Sequence, residues 1–128
     1  MAKTPDEKWK STVLDYRRKC QKILGVSNSV RYVGVINEYG RTLAGMVKPN
    51  VRPLLTQDYV RNEFFIVTNM IMMRNSQAKA LGPLDSVVLK HQKVTVVCIP
   101  SAKAVFYVSL NPKAKDLNKI IDKIKGIV

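Results

Sequence analysis

The sequence predicts an α/β (α+β) fold: a three-layer α/β/α sandwich, element order α-β-β-α-β-β-β-α, built on a five-stranded antiparallel sheet. Three observations predict it. Apolar residues recur at three- and four-residue steps near both ends of the chain, the period of helices packed on one side. Five runs rich in β-branched and aromatic residues are separated by short turns, and short connections make sequential strands antiparallel neighbours. Between the second and third runs, a Gly- and Pro-free segment from Leu54 to Leu81 is long enough for a helix of several turns. Its centre, Phe64-Phe65-Ile66-Val67-Thr68-Asn69-Met70-Ile71-Met72-Met73, has eight apolar residues in ten. An ordinary amphipathic stripe does not hold that many, so this helix is expected to be buried on more than one side.

The chain opens with Thr4-Pro5-Asp6-Glu7, a helix start in which Thr4 caps, Pro5 fits the first helical position and Glu7 completes a capping box. Trp9, Val13, Tyr16, Cys20, Ile23 and Leu24 give that helix its core stripe, and Gly25 is expected to end it in the left-handed conformation. Val30 to Asn37 and Arg41 to Val47 read as a hairpin around Glu38-Tyr39-Gly40. Gly34 and Gly45 inside its strands signal a bulge or a close neighbour. After the Pro49 and Pro53 connection, Thr56 caps the central helix, Asp58 or Glu63 in its early turns suits the macrodipole, and Gly82-Pro83 stops it near Leu81. Asp85–Lys90, Lys93–Ile99 and Ala104–Leu110 form a meander through turns at His91-Gln92 and Pro100–Lys103. Asn111 and Pro112 are read as the cap and first residue of a last helix, with Leu117, Ile120, Ile121 and Ile124 as its stripe.

A length of 128 residues suits one domain, 1–128. No apolar run reaches the roughly 18 residues of a membrane span. The charged N-terminus lacks the apolar stretch of a secretion signal, so a cytoplasmic protein is expected. Cys20 and Cys98, on a helix and a strand, read as buried reduced thiols that pack as small hydrophobes. With the single His91 they make no zinc-type ligand set, and no metal or cofactor is expected. Lys and Arg number 22 against 9 Asp and Glu, a formal charge of +13, which favours acidic partners without bearing on fold.

The order of elements, together with the texture of two regions, resembles the Roadblock family of dynein-light-chain-like domains, related in fold to longin and profilin-like domains. The residues that carry the resemblance are the hairpin Tyr32–Gly45 and the meander Val87 to Leu110, including Ala104-Val105-Phe106-Tyr107-Val108. The resemblance spans nearly the whole chain as a pattern and rests on no short motif. It implies a non-enzymatic dimer acting as a scaffold or regulator of small GTPases or motor complexes, paired through the central helix and third strand. Carried onto this chain, the dimer interface would comprise Phe64, Phe65, Val67, Met70, Ile71, Met72 and Met73 on the helix, with Val87 and Leu89 on the strand. The long basic first helix and the large charge depart from the family pattern.

The Met cluster has three readings: protomer core, dimer interface, or the lid of a small-molecule pocket under the helix, as in sensors of profilin-like topology. A second candidate site is cationic. Lys8, Lys10, Arg17, Arg18, Lys19 and Lys22 crowd the first helix, and Lys113, Lys115, Lys119, Lys123 and Lys125 the last. Both helices should lie on the sheet face opposite the central helix. Their cations form either a solvated layer or a docking surface for an acidic protein or a nucleic acid, whose phosphate contacts would be strongly salt-dependent. Exposed aromatics able to stack bases are expected to be scarce, with Tyr39 the one on the surface. There is no Gly-x-Ser-x-Gly elbow, no P-loop and no acid–base carboxylate pair, so no catalytic residue is assigned.

Overall fold

The computed structural model describes residues 4–128; Met1–Lys3, the start of the charged N-terminus, lie outside the described residues. Its elements are α1 (Pro5–Leu24), β1 (Val30–Asn37), β2 (Thr42–Val47), α2 (Gln57–Arg74), a 3-10 turn at Asn75–Gln77, α3 (Ala78–Leu81), β3 (Val87–Lys90), β4 (Thr95–Ser101), β5 (Ala104–Leu110) and α4 (Leu117–Ile127). The expected order is present, with one added short helix. The five strands form one antiparallel sheet in the order β2-β1-β5-β4-β3.

Strand alternation divides the core in two. Val33, Val35, Val97, Ile99, Phe106 and Val108 face Cys20 and Ile23 of α1 and Ile120 and Ile124 of α4. Val96, Cys98, Val105 and Tyr107 face Phe64, Val67 and Ile71 of α2. The two cysteines therefore lie on opposite sides of the sheet, both buried and free. Burial pushes the Cys20 thiol up to about 11. Burial and the Glu63 charge push Cys98 up to about 12.

The hairpin between β1 and β2 is closed by Asn37, whose Oδ1 accepts from the Tyr39 and Arg41 N–H groups, each at 2.9 Å. Gly40 has φ 81°, and its backbone presses against α2: a Cβ there would sit 3.0 Å from the Phe65 nitrogen. Both the left-handed angle and this close approach require glycine. Gly34 and Gly45 pair across the two strands, and the Tyr32 ring covers both; a Cβ at Gly45 would lie 2.9 Å from the Tyr32 hydroxyl.

Four local expectations are corrected. The capping box of α1 forms through Thr4 and Glu7, but Gly25 ends the helix at φ −88° in the right-handed region, its N–H bonded back to the last carbonyls. The Trp9 side chain is half exposed, and residues 4–12 are exposed throughout. A 20-residue helix is about 30 Å long, whereas six-residue β2 spans only about 20 Å, so the core stripe outruns the sheet. The central helix, capped by Thr56, ends at Arg74, with a 3-10 turn and α3 completing the path to Gly82. Asn75 and Ser76 begin the change, the Ser76 hydroxyl donating to the Met73 carbonyl at 2.9 Å. The last helix starts at Leu117 rather than Pro112, because the Asn111 N–H donates to Ser29 and the Asn111 carbonyl closes a turn to Ala114. Asp116, at φ 56°, then turns the chain into α4.

The meander differs at its edges. β3 begins at Val87, β4 runs Thr95–Ser101, and the turn to β5 shrinks to Ala102-Lys103, with Ala102 left-handed at φ 52°.

Candidate functional site

α2 has two faces of different fate. Phe64, Val67, Thr68 and Ile71 are buried against the sheet, and Phe64 meets the Tyr107 ring edge-on at a centroid distance of 4.9 Å. Thr68 is accommodated there because its hydroxyl donates to the Phe64 carbonyl at 2.8 Å. The opposite side carries Phe65, Ile66, Met72 and Met73, exposed by 60%, 60%, 48% and 75%. Met70 is half-buried on its flank. Of the residues read as an interface, Phe64, Val67 and Ile71 therefore fill the protomer's own core. Phe65, Met72 and Met73 face outward, joined by Ile66. Val87 and Leu89 are half-buried against the α2-side core, so β3 presents mainly its backbone edge, as the last strand of the sheet.

The cationic residues occupy the opposite layer. α1 and α4 share one core, and Lys8, Lys10, Arg17, Arg18, Lys22, Lys119 and Lys123 are exposed on them. Lys19 is engaged with Asp15 at 3.5 Å. Lys125 is engaged with Asp85 at 2.7 Å, which raises the ammonium above its ordinary pKa and lowers the carboxyl. Lys113 and Lys115 stand in the turn before α4 rather than on the helix. Exposed aromatics are less scarce than expected: Trp9, Tyr59 and Phe65 join Tyr39 on the surface. Tyr59 and Phe65 lie on α2, away from the cationic helices.

Beneath the first half of α2, a cavity of about 550 Å³ opens between helix, sheet and the connection Val51–Leu55. Its inner wall holds Tyr32, Phe64, Val96 and Tyr107; Arg31, Arg52, His91 and Lys93 also line it. The Tyr107 hydroxyl donates to Glu63 Oε2 at 2.9 Å. Burial, then the Glu63 charge and this bond, push the phenol well above its ordinary pKa, so it stays a donor. His91 is exposed in the β3–β4 turn, its N–H bonded to the Val94 carbonyl at 2.8 Å. Among the described residues, no group of three His, Cys, Asp or Glu side chains gathers to hold a metal, and no helix is long and apolar enough to cross a membrane.

No family model matches the sequence, and no curated protein matches it. Solved structures do match the fold. The Roadblock/LC7 domain from Streptomyces avermitilis superposes with a TM-score of 0.67 at 9% identity, over 87% of this chain and 89% of that one. The gliding protein MglB from Thermus thermophilus does so at 0.68 and 15% identity, over 99% and 88%. An MglB of tetrameric arrangement reaches 0.70 at 16%, over 99% and 87%. The chain has a Roadblock-like fold.

In this Roadblock-like fold, two features of the α2 side escape a reading of residue types and a third does not. The register slips between Val30 and Tyr32 where β1 meets β5, leaving Arg31 as the extra residue of a bulge. Nothing in Ser29-Val30-Arg31-Tyr32 announces it, because a bulge is set by pairing with a distant strand. The Glu63–Tyr107 link joins residues 44 apart in sequence. The cover of Tyr32 over two glycines had a visible signal, the glycines themselves inside strands.

Proposed function

We propose that this chain is a non-catalytic homodimeric scaffold or regulator in the cytoplasm. It acts as one domain over residues 1–128 and serves a small GTPase or a multi-protein complex. The observation that carries the proposal is the outer side of α2, where four large apolar side chains are exposed on a helix whose other face is already buried. Contiguous exposed apolar surface of this kind marks interaction sites. Pairing about a two-fold axis places the patch on its own copy.

Dimensions decide how much of the protomer must join. Eighteen residues make a helix of about 27 Å, and a strip 10–12 Å wide along it is on the order of 300 Å². A stable interface buries about 800 Å² per partner, so α2 alone is too small. The free edge of β3 and the exposed Leu81 of α3 are the neighbouring surfaces that extend it. The MglB structure of tetrameric arrangement supports assembly as a property this fold permits. With dimerisation on the α2 side, the cationic α1/α4 layer stays free for an acidic partner.

The test is affinity capture from the native host at ~50 and ~200 mM salt, a range over which phosphate-driven binding collapses. A GTP-hydrolysing protein retained at both concentrations, and lost with the Arg17→Glu, Arg18→Glu variant, is the expected result. Capture of nucleic acid alone, released at the higher salt, would replace this reading with a charge-driven nucleic-acid binder.

A further inference from the structure

We propose that the cavity under α2 is a binding site for a free anionic amphiphile, an aliphatic chain ending in a carboxylate. Its volume of about 550 Å³ lies within the ~300–1,000 Å³ of small-molecule sites. The polarity of its wall is ordered along the strands. Deep in the cavity the lining is Tyr32, Phe64, Val96 and Tyr107. The cations gather at the end of the sheet where β1 and β4 begin and β5 ends: Arg31 lies beside the Tyr32↔Ser109 pair, and Lys93 precedes the Thr95↔Leu110 pair, with His91 in the same turn.

Arg31 is at the mouth for a structural reason. Consecutive strand residues point to opposite faces, yet Arg31 and Tyr32 both line the cavity. The bulge between Val30 and Tyr32 accounts for this, since an inserted residue re-aims a side chain. Arg31 is then held in place by donating from Nη2 to the Arg52 carbonyl at 2.9 Å, which leaves the rest of its donor fork free. Among the described residues, the ion pairs involve Lys19, Arg61 and Lys125, so Arg31, Arg52, His91 and Lys93 have no carboxylate within ion-pair distance. The one acid in the wall, Glu63, is engaged by Tyr107. A guanidinium fork matches a carboxylate in two-point geometry, and the apolar wall of Phe64, Val96 and the Tyr32 and Tyr107 rings matches a chain. A neutral lipid leaves the cations unanswered, and a small anion leaves the wall empty. This site does not depend on dimerisation, because its wall belongs to the sheet-facing side of α2.

The full chain titrated calorimetrically with laurate below its micelle concentration tests the proposal, with 1-dodecanol, dodecyltrimethylammonium and acetate as comparison probes. Saturation at one laurate per chain is expected, with at least tenfold weaker binding of the alcohol and no binding of the cation or acetate. Arg31→Glu with Arg52→Glu should weaken laurate at least tenfold and leave dodecanol unchanged. Val60→Trp, which fills the cavity from α2, should abolish binding while circular dichroism stays native. If that variant does not fold, methyl NMR of the unaltered protein decides, with laurate shifts expected at Val47, Val51, Leu55, Val60 and Val94. Binding of many laurates per chain, binding unchanged by the arginine reversals, or shifts concentrated on α1 and α4 would overturn the proposal in favour of adsorption to the basic surface. Equal affinity for dodecanol would overturn the assignment of an anionic head.

Discussion

The two faces of the sheet solve the same packing problem differently. On one face, two helices present single stripes, so Ile23, Ile120 and Ile124 go inward and the cations outward, and the layer is finished within the protomer. On the other, one helix stands on a tier of rings, Phe64 on Tyr107 and Tyr107 near Tyr32 at 6.4 Å. It leaves a cavity beneath its first half and an apolar side facing away. That contrast separates where self-assembly is to be sought from where charge is displayed: the closed face is structural core under a charged skin, and the open face holds the unmet apolar surface.

Truncation tests the contrast most strongly. Phe106 is fully buried on the closed face, edge-on to Tyr16 at 6.0 Å, and Phe106→Ala should cost about 3–5 kcal/mol of unfolding free energy in urea melts. Phe65→Ala on the outer side of α2 should cost the isolated protomer under about 0.5 kcal/mol while weakening self-association. Equal costs would erase the distinction between the faces. Gly40→Ala probes the contact between hairpin and α2. It meets both a φ of 81° and backbone atoms near 3 Å, so a loss of more than about 1 kcal/mol is expected.

The thiols give a pH version of the same comparison, one on each face. Both are raised above the ordinary 9.0, to about 11 for Cys20 and about 12 for Cys98. Above pH 9 the unfolded chain releases thiol protons that the folded chain keeps, so stability falls as pH rises from 9 towards 12. Cys98→Ala should flatten the upper part of that decline in melting temperature. Glu63→Gln should soften it through Cys98 and Tyr107, leaving Cys20 unaffected. A gain rather than a loss is expected at the β4–β5 turn. There Ala102 holds φ 52°, and Ala102→Gly should stabilise by up to about 1 kcal/mol in thermal melts.

Much of this contrast was legible in the residues. Helical spacing and the Thr4–Glu7 capping box located α1, and short turns paired β1 with β2 and carried β3 through β4 to β5, while the β1–β5 pairing that joins hairpin to meander was not legible. The apolar excess at 64–73 marked α2 as the element with two faces to cover. What was not legible depends on distant partners. Trp9 sits on the core stripe by period yet has no sheet beneath it. Asn111-Pro112 is a helix start by local chemistry, but Ser29 claims the Asn111 N–H. Spacing alone could not divide Phe64 from Phe65, since adjacent rings on an apolar helix are separated only by where the sheet lies. Arg31 enters the cavity mouth through a bulge that pairing with β5 creates.

We propose that the outer side of α2 is the seam between two copies. Sedimentation equilibrium at micromolar concentration tests it directly, on the unaltered chain and on Ile66→Lys with Met73→Lys. Twice the 14.5 kDa of one chain is expected for the first and a folded monomer for the second. A monomer in both, or a dimer untouched by the two lysines, would contradict it.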